Sequence, residues 1–386
     1  MQLEEQHRLI DRVLQLETDK TTDMAEHCSA IDVALYRDEK QFHSEEENLF
    51  RQLPMIVGHV SQLPAPGDFI THDICGVPVV VLRRQTGELK AFMNVCKHRG
   101  GRLVRDEKGS DLRVLVCHYH AWTYDTDGSL RGVPHKDGFR GMPDGCNNLT
   151  ELPVSDHLGF LWVRLAPFRR YETATQFNRS VEEFLGEQFN ADFSSYGTSS
   201  HTVFDPVDFH RPINWKLAID TFLENYHVRK THRNTIDAMF LDTVGIYERF
   251  GCQQRNLYPK KSIVSLRDKP RSEWQLCEHG NMLYTFFPNT LILIEPDHIN
   301  VSIVFPDGIE HTKLINFTLL PEEPTEKGIK YFRKNNDILY AALEEDFSMA
   351  IDIQKGLRSG ANQQFLHGRF EQGLKYFHES VEGFCE

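Results

Sequence analysis

The 386-residue chain is short of positive charge, of long apolar runs and of paired cysteines. Its 43 lysines and arginines face 56 aspartates and glutamates, a net charge of −13. Such a surface is repelled by nucleic acid and by anionic membranes, which argues against both as partners. No apolar stretch approaches the roughly 20 residues that cross a bilayer. The opening MQLEEQHRLIDRVLQ is acidic and amphipathic, and lacks the charged, apolar, small-residue order of a secretory leader. Eight cysteines in a chain this long do not make a disulfide framework. Cys28, Cys75, Cys146, Cys252, Cys277 and Cys385 read as reduced and mostly buried thiols, which points to a cytoplasmic protein. Internal repeats, low-complexity tracts and nucleotide or flavin motifs are also missing. What remains is an ordinary globular composition, 26% charged and 40% hydrophobic, with length for two domains or one large one.

Against that background two cysteine–histidine pairs stand out, Cys96-Lys97-His98 and Cys117-His118-Tyr119-His120, in the pattern C-x-H-x18-C-x2-H. Two thiolates and two imidazoles so arranged suit a [2Fe–2S] cluster with sulfur on one iron and nitrogen on the other, a Rieske centre. Zinc is the alternative, but zinc sites usually pair cysteine with cysteine and histidine with histidine. Here each short loop carries one of each. The flanks fit hairpin tips: the apolar runs Ala91–Val95 and Leu112–Val116 lead into the loops. Trp122-Thr123-Tyr124 then leads to the turn signal Asp127-Gly128.

The chain reads as α+β. Residues 1–45 are expected to be helical, with Leu9, Ile10, Val13, Leu14 and Leu16 as an apolar stripe. Residues 46–168 are strand-rich, with a buried strand at Val77–Leu82, a turn-rich segment at Gly145–Thr150 and a last strand at Leu158–Leu165. Residues 169–386 mix helices with an antiparallel meander. A helix is expected at Val181–Phe189 and strands at Met282–Phe287, Leu291–Ile294, Ile299–Phe305 and Lys313–Leu320. Asn300–Val304 partly alternates, as a half-buried strand should. A long helix from 326 to about 357 and a shorter one at Glu371–Gly383 complete the pattern.

A second metal site is suggested by Glu224, His227 and His232. Glu224 and His227 are spaced to share a helix face. His227 and His232 are not, so the helix must end or unwind near Val228–Lys230 for both rings to reach one ion. Two imidazoles and one carboxylate leave positions on ferrous iron open for dioxygen. The carboxylate is expected from Glu344-Glu345-Asp346. Asp346 is the choice and Glu345 and Asp352 are alternatives, since neither periodicity nor composition decides among them.

Together these motifs resemble the large (α) subunit of the Rieske non-haem iron oxygenases, the ring-hydroxylating oxygenases. The resemblance rests on Cys96-Lys-His98-Arg-Gly-Gly101, Cys117-His-Tyr-His120-Ala-Trp122-Thr-Tyr124, Asn214-Trp-Lys216, the E-x2-H-x4-H run, and Glu345-Asp346 followed by Gln354-Lys-Gly-Leu-Arg-Ser359. It implies an antiparallel Rieske domain with a helix-grip (START-like) catalytic domain, and favours Asp346 as the third ligand. It further implies a head-to-tail homotrimer in which one subunit's cluster serves the next subunit's iron. Glu224 would then bridge His227 to His120 of the partner subunit. Glu stands at position 224 where most of the family has Asp, which resembles the branch acting on choline, carnitine and betaine. Ala121 follows His120 where Gly is usual, and the spacing between the two loops is slightly long. Neither cluster loop carries the extra cysteine of respiratory Rieske proteins.

The function implied is the terminal oxygenase of a multicomponent system. A separate flavin/iron–sulfur reductase would supply electrons from NADH or NADPH, and a small organic substrate would be hydroxylated or oxidatively demethylated. An electron carrier without oxygenase activity, a zinc-bound scaffold and an aromatic-ring dioxygenase are the alternatives. Phe204, Phe209, Tyr226, Phe240, Tyr247, Phe286 and Phe287 are candidates for a pocket, with core packing the commoner fate of such residues. Arg229, Arg233, Arg249 and Arg255 are candidates for pairing with an aromatic carboxylate.

Overall fold

The computed structural model describes residues 1–142 and 147–385, and it divides into two compact units, Phe50–Phe184 and Met1–Leu49 with Leu185–Glu386. Gly145 and Cys146, the first two residues of the expected Gly145–Thr150 turn, lie outside the described residues.

The Phe50–Phe184 unit is built of antiparallel sheets. One runs in the order Glu151–Leu152, Leu89–Met93, Val77–Arg83, Phe69–Ile74, Lys108–Gly109. A second joins Val154–His157, Phe160–Val163 and Met55–His59, and a third joins Val114–Val116, Thr123–Asp125 and Leu130–Gly132. The Leu158–Leu165 stretch is therefore not one strand. Leu158 and Gly159 both take positive φ, 56° and 82°, and turn the chain into a hairpin. Phe69, Val80, Leu82, Phe92, Leu115, Trp122 and Tyr124 form the core beneath the cluster loops. Asp127-Gly128 makes its turn with Gly128 at φ 87°, where a Cβ would lie 2.5 Å from Phe92.

The other unit carries a seven-stranded antiparallel sheet. Its order is Thr202–Arg211, Thr312–Leu320, Ile299–Pro306, Thr290–Ile294, Gly280–Phe286, Gln253–Pro259, Ile246–Phe250. The helix Glu326–Ser359 packs on it through Phe347 and Tyr340, whose rings lie 6.1 and 5.3 Å from that of Phe209. Ile299–Pro306 is not half-buried as its pattern suggests. All eight residues are buried, because both faces are covered and the polar ones find partners inside. Thr318 Oγ1 donates to Asn300 Oδ1 at 3.1 Å, and Asn316 Nδ2 donates to Ser302 Oγ at 2.8 Å. Three strands escape the sequence pattern, most tellingly Gln253–Pro259, where Gln253, Gln254, Arg255 and Asn256 are at most 1% exposed.

Residues 1–45 are only partly helical. Helices Leu3–Thr18 and Glu39–Glu45 flank a strand, Ser29–Asp32, which pairs with Gln364–His367. The stripe from Leu9 to Leu16 is buried. Arg255 ties the first helix down, pairing with Glu5, with Asp192 at 2.8 Å and with Glu248 at 2.5 Å. The second helix ends on Glu45, whose carboxylate accepts from Lys216 Nζ at 2.6 and 2.7 Å and from Trp215 Nε1 at 2.8 Å. Both Glu45 and Lys216 are fully buried. Burial pushes the Lys216 amine below its usual pKa against the opposing pull of Glu45. Removing one partner strands a charge in the interior. Lys216→Met should therefore destabilise this unit by about 3–5 kcal/mol in denaturant unfolding, and adding Glu45→Gln should recover most of the loss.

Candidate metal centres and cavity

The two cysteine–histidine loops share a backbone design. In the first, Gly100 N–H donates to Cys96 O at 2.9 Å and Cys96 N–H to Gly101 O at 2.8 Å. In the second, Ala121 N–H donates to Cys117 O at 2.9 Å and Cys117 N–H to Trp122 O at 2.8 Å. Cys96 and Cys117 are 2% and 3% exposed and unbridged. The rings of His98 and His120 lie 4.6 Å apart, and both Nδ1 atoms are buried without a hydrogen-bond partner. Buried orphan acceptors are rare unless something absent from the protein binds them. Two thiols and two inward Nδ1 atoms fit the cluster. A Cβ on Gly101 would lie 3.2 Å from Cys117 Sγ, so the loops close tightly about this space. The Tyr124 hydroxyl lies 3.3 Å from Cys96 Sγ and accepts from Lys97 N–H at 3.0 Å. Burial, then the neighbouring Cys96, pushes the Tyr124 phenol up.

Ala121 takes φ 56°, the left-handed conformation that costs an L-residue about 1–2 kcal/mol. The equivalent residue in the first loop, Gly100, sits at φ 75° without that cost. Ala121→Gly should raise the thermal stability of this unit by about 1 kcal/mol, read as an upward shift in its melting temperature.

At the second site the helix Trp215–Asp220 ends well before Glu224. Glu224 and His227 thus do not share a helix face. They meet in a turn in which the Glu224 carboxylate accepts from Tyr226 N–H, from His227 N–H at 3.2 Å and from the His227 ring at Nδ1. A single helical turn, Val228–Thr231, then separates His227 from His232 and brings their Nε2 atoms within 3.2 Å. Asp346 comes from the long helix, its Oδ1 3.4 Å from His227 Nε2 and 3.1 Å from His232 Nε2. These are the donors that converge among the described residues. Glu345 points elsewhere: its Oε2 receives His232 Nδ1 at 2.8 Å and Thr235 Oγ1 at 2.7 Å. Asp352 is exposed and pairs with Lys355 at 3.0 Å.

Both histidines give Nδ1–H to a carboxylate, so both Nε2 atoms present lone pairs to each other and to Asp346. Three acceptors facing one another call for a cation, and this donor set fits ferrous iron. The same geometry raises both imidazole pKa values. At His227 burial opposes the shift and the Glu224 hydrogen bond outweighs it. At His232 burial is outweighed by Asp346 and then Glu345.

Two cavities share Thr221, Glu224, His227 and Asp346. One, of about 550 Å³, lies toward the Gln364–His367 strand. The other, of about 110 Å³, lies between the sheet and the long helix, with Phe222, Phe240 and Tyr258 on its walls. Of the aromatic candidates Phe240 lines the smaller of these two cavities. Phe286 packs on Phe189 and Phe193, Phe287 on Phe377, Phe204 on Phe332, and Tyr226 on Phe370. Phe222 and Tyr258 escaped sequence reading because they lie in an irregular turn and a polar strand. Of the candidate arginines, Arg255 and Arg249 are engaged with carboxylates, while Arg229 and Arg233 line a separate surface groove.

Residues 54–150 match the Rieske [2Fe-2S] domain family, and residues 198–386 match the family described as ring hydroxylating alpha subunit (catalytic domain). The carnitine monooxygenase oxygenase subunit of Acinetobacter pittii is 30% identical over 373 residues, covering 92% of this chain and 96% of that protein. Its counterpart from Escherichia coli is 26% identical over 361 residues, covering 90% and 91%. A crystal structure of the quaternary ammonium Rieske monooxygenase CntA superposes with a TM-score of 0.78 at 23% identity, covering 94% of this chain and 96% of that one. A Rieske domain followed by a catalytic domain, matched nearly end to end by such relatives, leaves no place for a zinc scaffold or a bare electron carrier: this chain belongs to the ring-hydroxylating family of Rieske oxygenase alpha subunits.

Proposed function

We propose that this terminal Rieske oxygenase hydroxylates, and thereby demethylates, a small methylated ammonium compound, using electrons that a separate NAD(P)H-dependent reductase delivers. In this reading Cys96, His98, Cys117 and His120 hold the cluster, and His227, His232 and Asp346 hold a mononuclear ferrous ion. When bound, the cluster supplies single electrons and the ferrous ion a site for dioxygen.

The protein's own part is orientation. Glu224 on His227 and Glu345 on His232 fix each ring's tautomer, so that each presents Nε2 and not Nδ1 to the ion. Tyr124 steadies the Cys96 sulfur. Glu224 also lines the larger cavity, where Met349, Ile353 and Leu366 are exposed. An apolar rim around a carboxylate supports the head-to-tail homotrimer, with Glu224 meeting His120 of the partner subunit.

The observation that carries the substrate class is the smaller cavity. Phe222, Phe240 and Tyr258 line it beside Glu224, and neither lysine nor arginine is among its described lining residues. Aromatic faces and carboxylates attract a methylated ammonium and repel an anion. Its volume of about 110 Å³ is far below the roughly 300–1,000 Å³ of common ligand pockets, which favours a few-atom substrate over fused aromatic rings.

His227→Ala should abolish oxygen uptake and formaldehyde release with an ammonium substrate while leaving the visible spectrum of the cluster intact. Anaerobic iron analysis should fall from about three to about two per subunit. Retained turnover in the variant would remove His227 from the site. Tyr124→Phe should lower the cluster's midpoint potential by tens of millivolts in a spectroelectrochemical titration, because a hydrogen bond to a ligand sulfur favours the reduced state.

A further inference from the structure

The two histidines assigned to the cluster are housed differently. The His120 ring lies beside that of Tyr119, with centroids 3.7 Å apart, and Tyr119 is 60% exposed with the Arg99 guanidinium 5.3 Å from its ring centre. The His98 ring stacks instead on Trp122, with centroids 4.9 Å apart and planes within 6° of parallel, and Trp122 is 3% exposed. Phe139 closes the same corner. Its ring stands nearly perpendicular to both, 5.6 Å from that of His98 and 5.4 Å from that of Trp122.

Phe139 reaches this corner from an otherwise exposed stretch. From Pro134 to Gly141 it is the one side chain drawn inward, at the end of the short turn Lys136–Phe139. There it packs, with Leu130 and Met142, on the core beneath the cluster loops. Phe139 also lines a surface groove of about 530 Å³, together with Arg131, Lys136 and Arg140, while His98 is not among the groove's described lining residues. One aromatic ring thus touches the groove on one hand and the His98 ring on the other.

Reducing a [2Fe–2S] cluster adds one negative charge. Water stabilises that charge, so an apolar wall that excludes water favours the oxidised form and lowers the potential. We propose that Phe139 is a hydrophobic plug over the His98 side of the cluster, keeping water in the groove away from this ligand and so holding the cluster's potential down. Phe139 is a positioning residue, acting through His98 and Trp122. This rests on the reading that His98 binds the cluster, and goes beyond it in giving a side chain outside the cysteine–histidine loops control of the potential. A lower potential leaves a received electron with more driving force for onward transfer.

Spectroelectrochemical titration of the purified holoenzyme tests the plug with three variants at position 139. Phe139→Ala should raise the midpoint potential, so that at a fixed applied potential the cluster's reduced-to-oxidised ratio rises about three- to tenfold, tenfold being about 59 mV for one electron. In deuterated buffer the electron spin-echo signal of its reduced cluster should show deeper deuterium modulation, the mark of water closer to the spin. Phe139→Leu, apolar and bulky, should keep both readings near those of the unaltered chain. Phe139→Gln, polar and of similar reach, should behave as the alanine variant and stands in if that one does not fold. Unchanged potential and modulation in the alanine and glutamine variants, or a leucine shift as large as alanine's, overturns the plug while leaving His98 as a ligand. A reduced, unaltered holoenzyme without a Rieske paramagnetic signal overturns the ligand reading and the plug with it.

Discussion

The catalytic unit is organised around lone pairs that have been denied their protons. His227 and His232 each commit Nδ1–H to a carboxylate, and this turns two Nε2 atoms and Asp346 Oδ1 toward one point. Facing acceptors repel in the absence of a cation, so the surrounding structure must hold them there. The long helix does so from one side and the 221–232 turn from the other. Glu345 and Asp346, adjacent in sequence, divide the work: one orients a ring and the other completes the donor set. Exchanging their roles would need the helix to rotate by about 100°, the angle between successive residues.

What could be read from sequence follows how local each feature is. The cluster loops declare themselves because each brings its cysteine and histidine within a few residues, and backbone hydrogen bonds inside the loop complete the geometry. Glu224 and His227 are equally close in sequence, yet the helix expected to align them is absent. A carboxylate three residues before a histidine can reach it from a turn as well as from a helix. Asp346 is 114 residues beyond His232, and nothing local separates it from Glu345 or Asp352. Only packing of the long helix against the sheet does, and the family resemblance stood in for that packing.

The sheet was legible where it is apolar and hidden where it is polar. Met282–Phe287 and Leu291–Ile294 stand out as β-branched and aromatic runs. Gln253–Pro259 does not, because its buried side chains are amides and a guanidinium whose partners come from distant segments. The cavity suffers the same concealment. Its walls take residues from a turn, three strands and a helix, so Tyr258 gains meaning only when the strands are in register.

The Ser29–Asp32 strand and the helix that follows it have a further consequence. Tyr36, a wall of the larger cavity, donates to Asp220 at 2.6 Å and lies 3.1 Å from His378, which itself lies 2.9 Å from Asp220. With Glu45 held by Lys216 a few residues on, the leading segment acts as a strap across the helix that introduces the 221–232 turn. Trimming it as a dispensable tail would open the cavity wall and bare a buried ammonium in one cut, so the cavity and the folded core share this edge of the molecule.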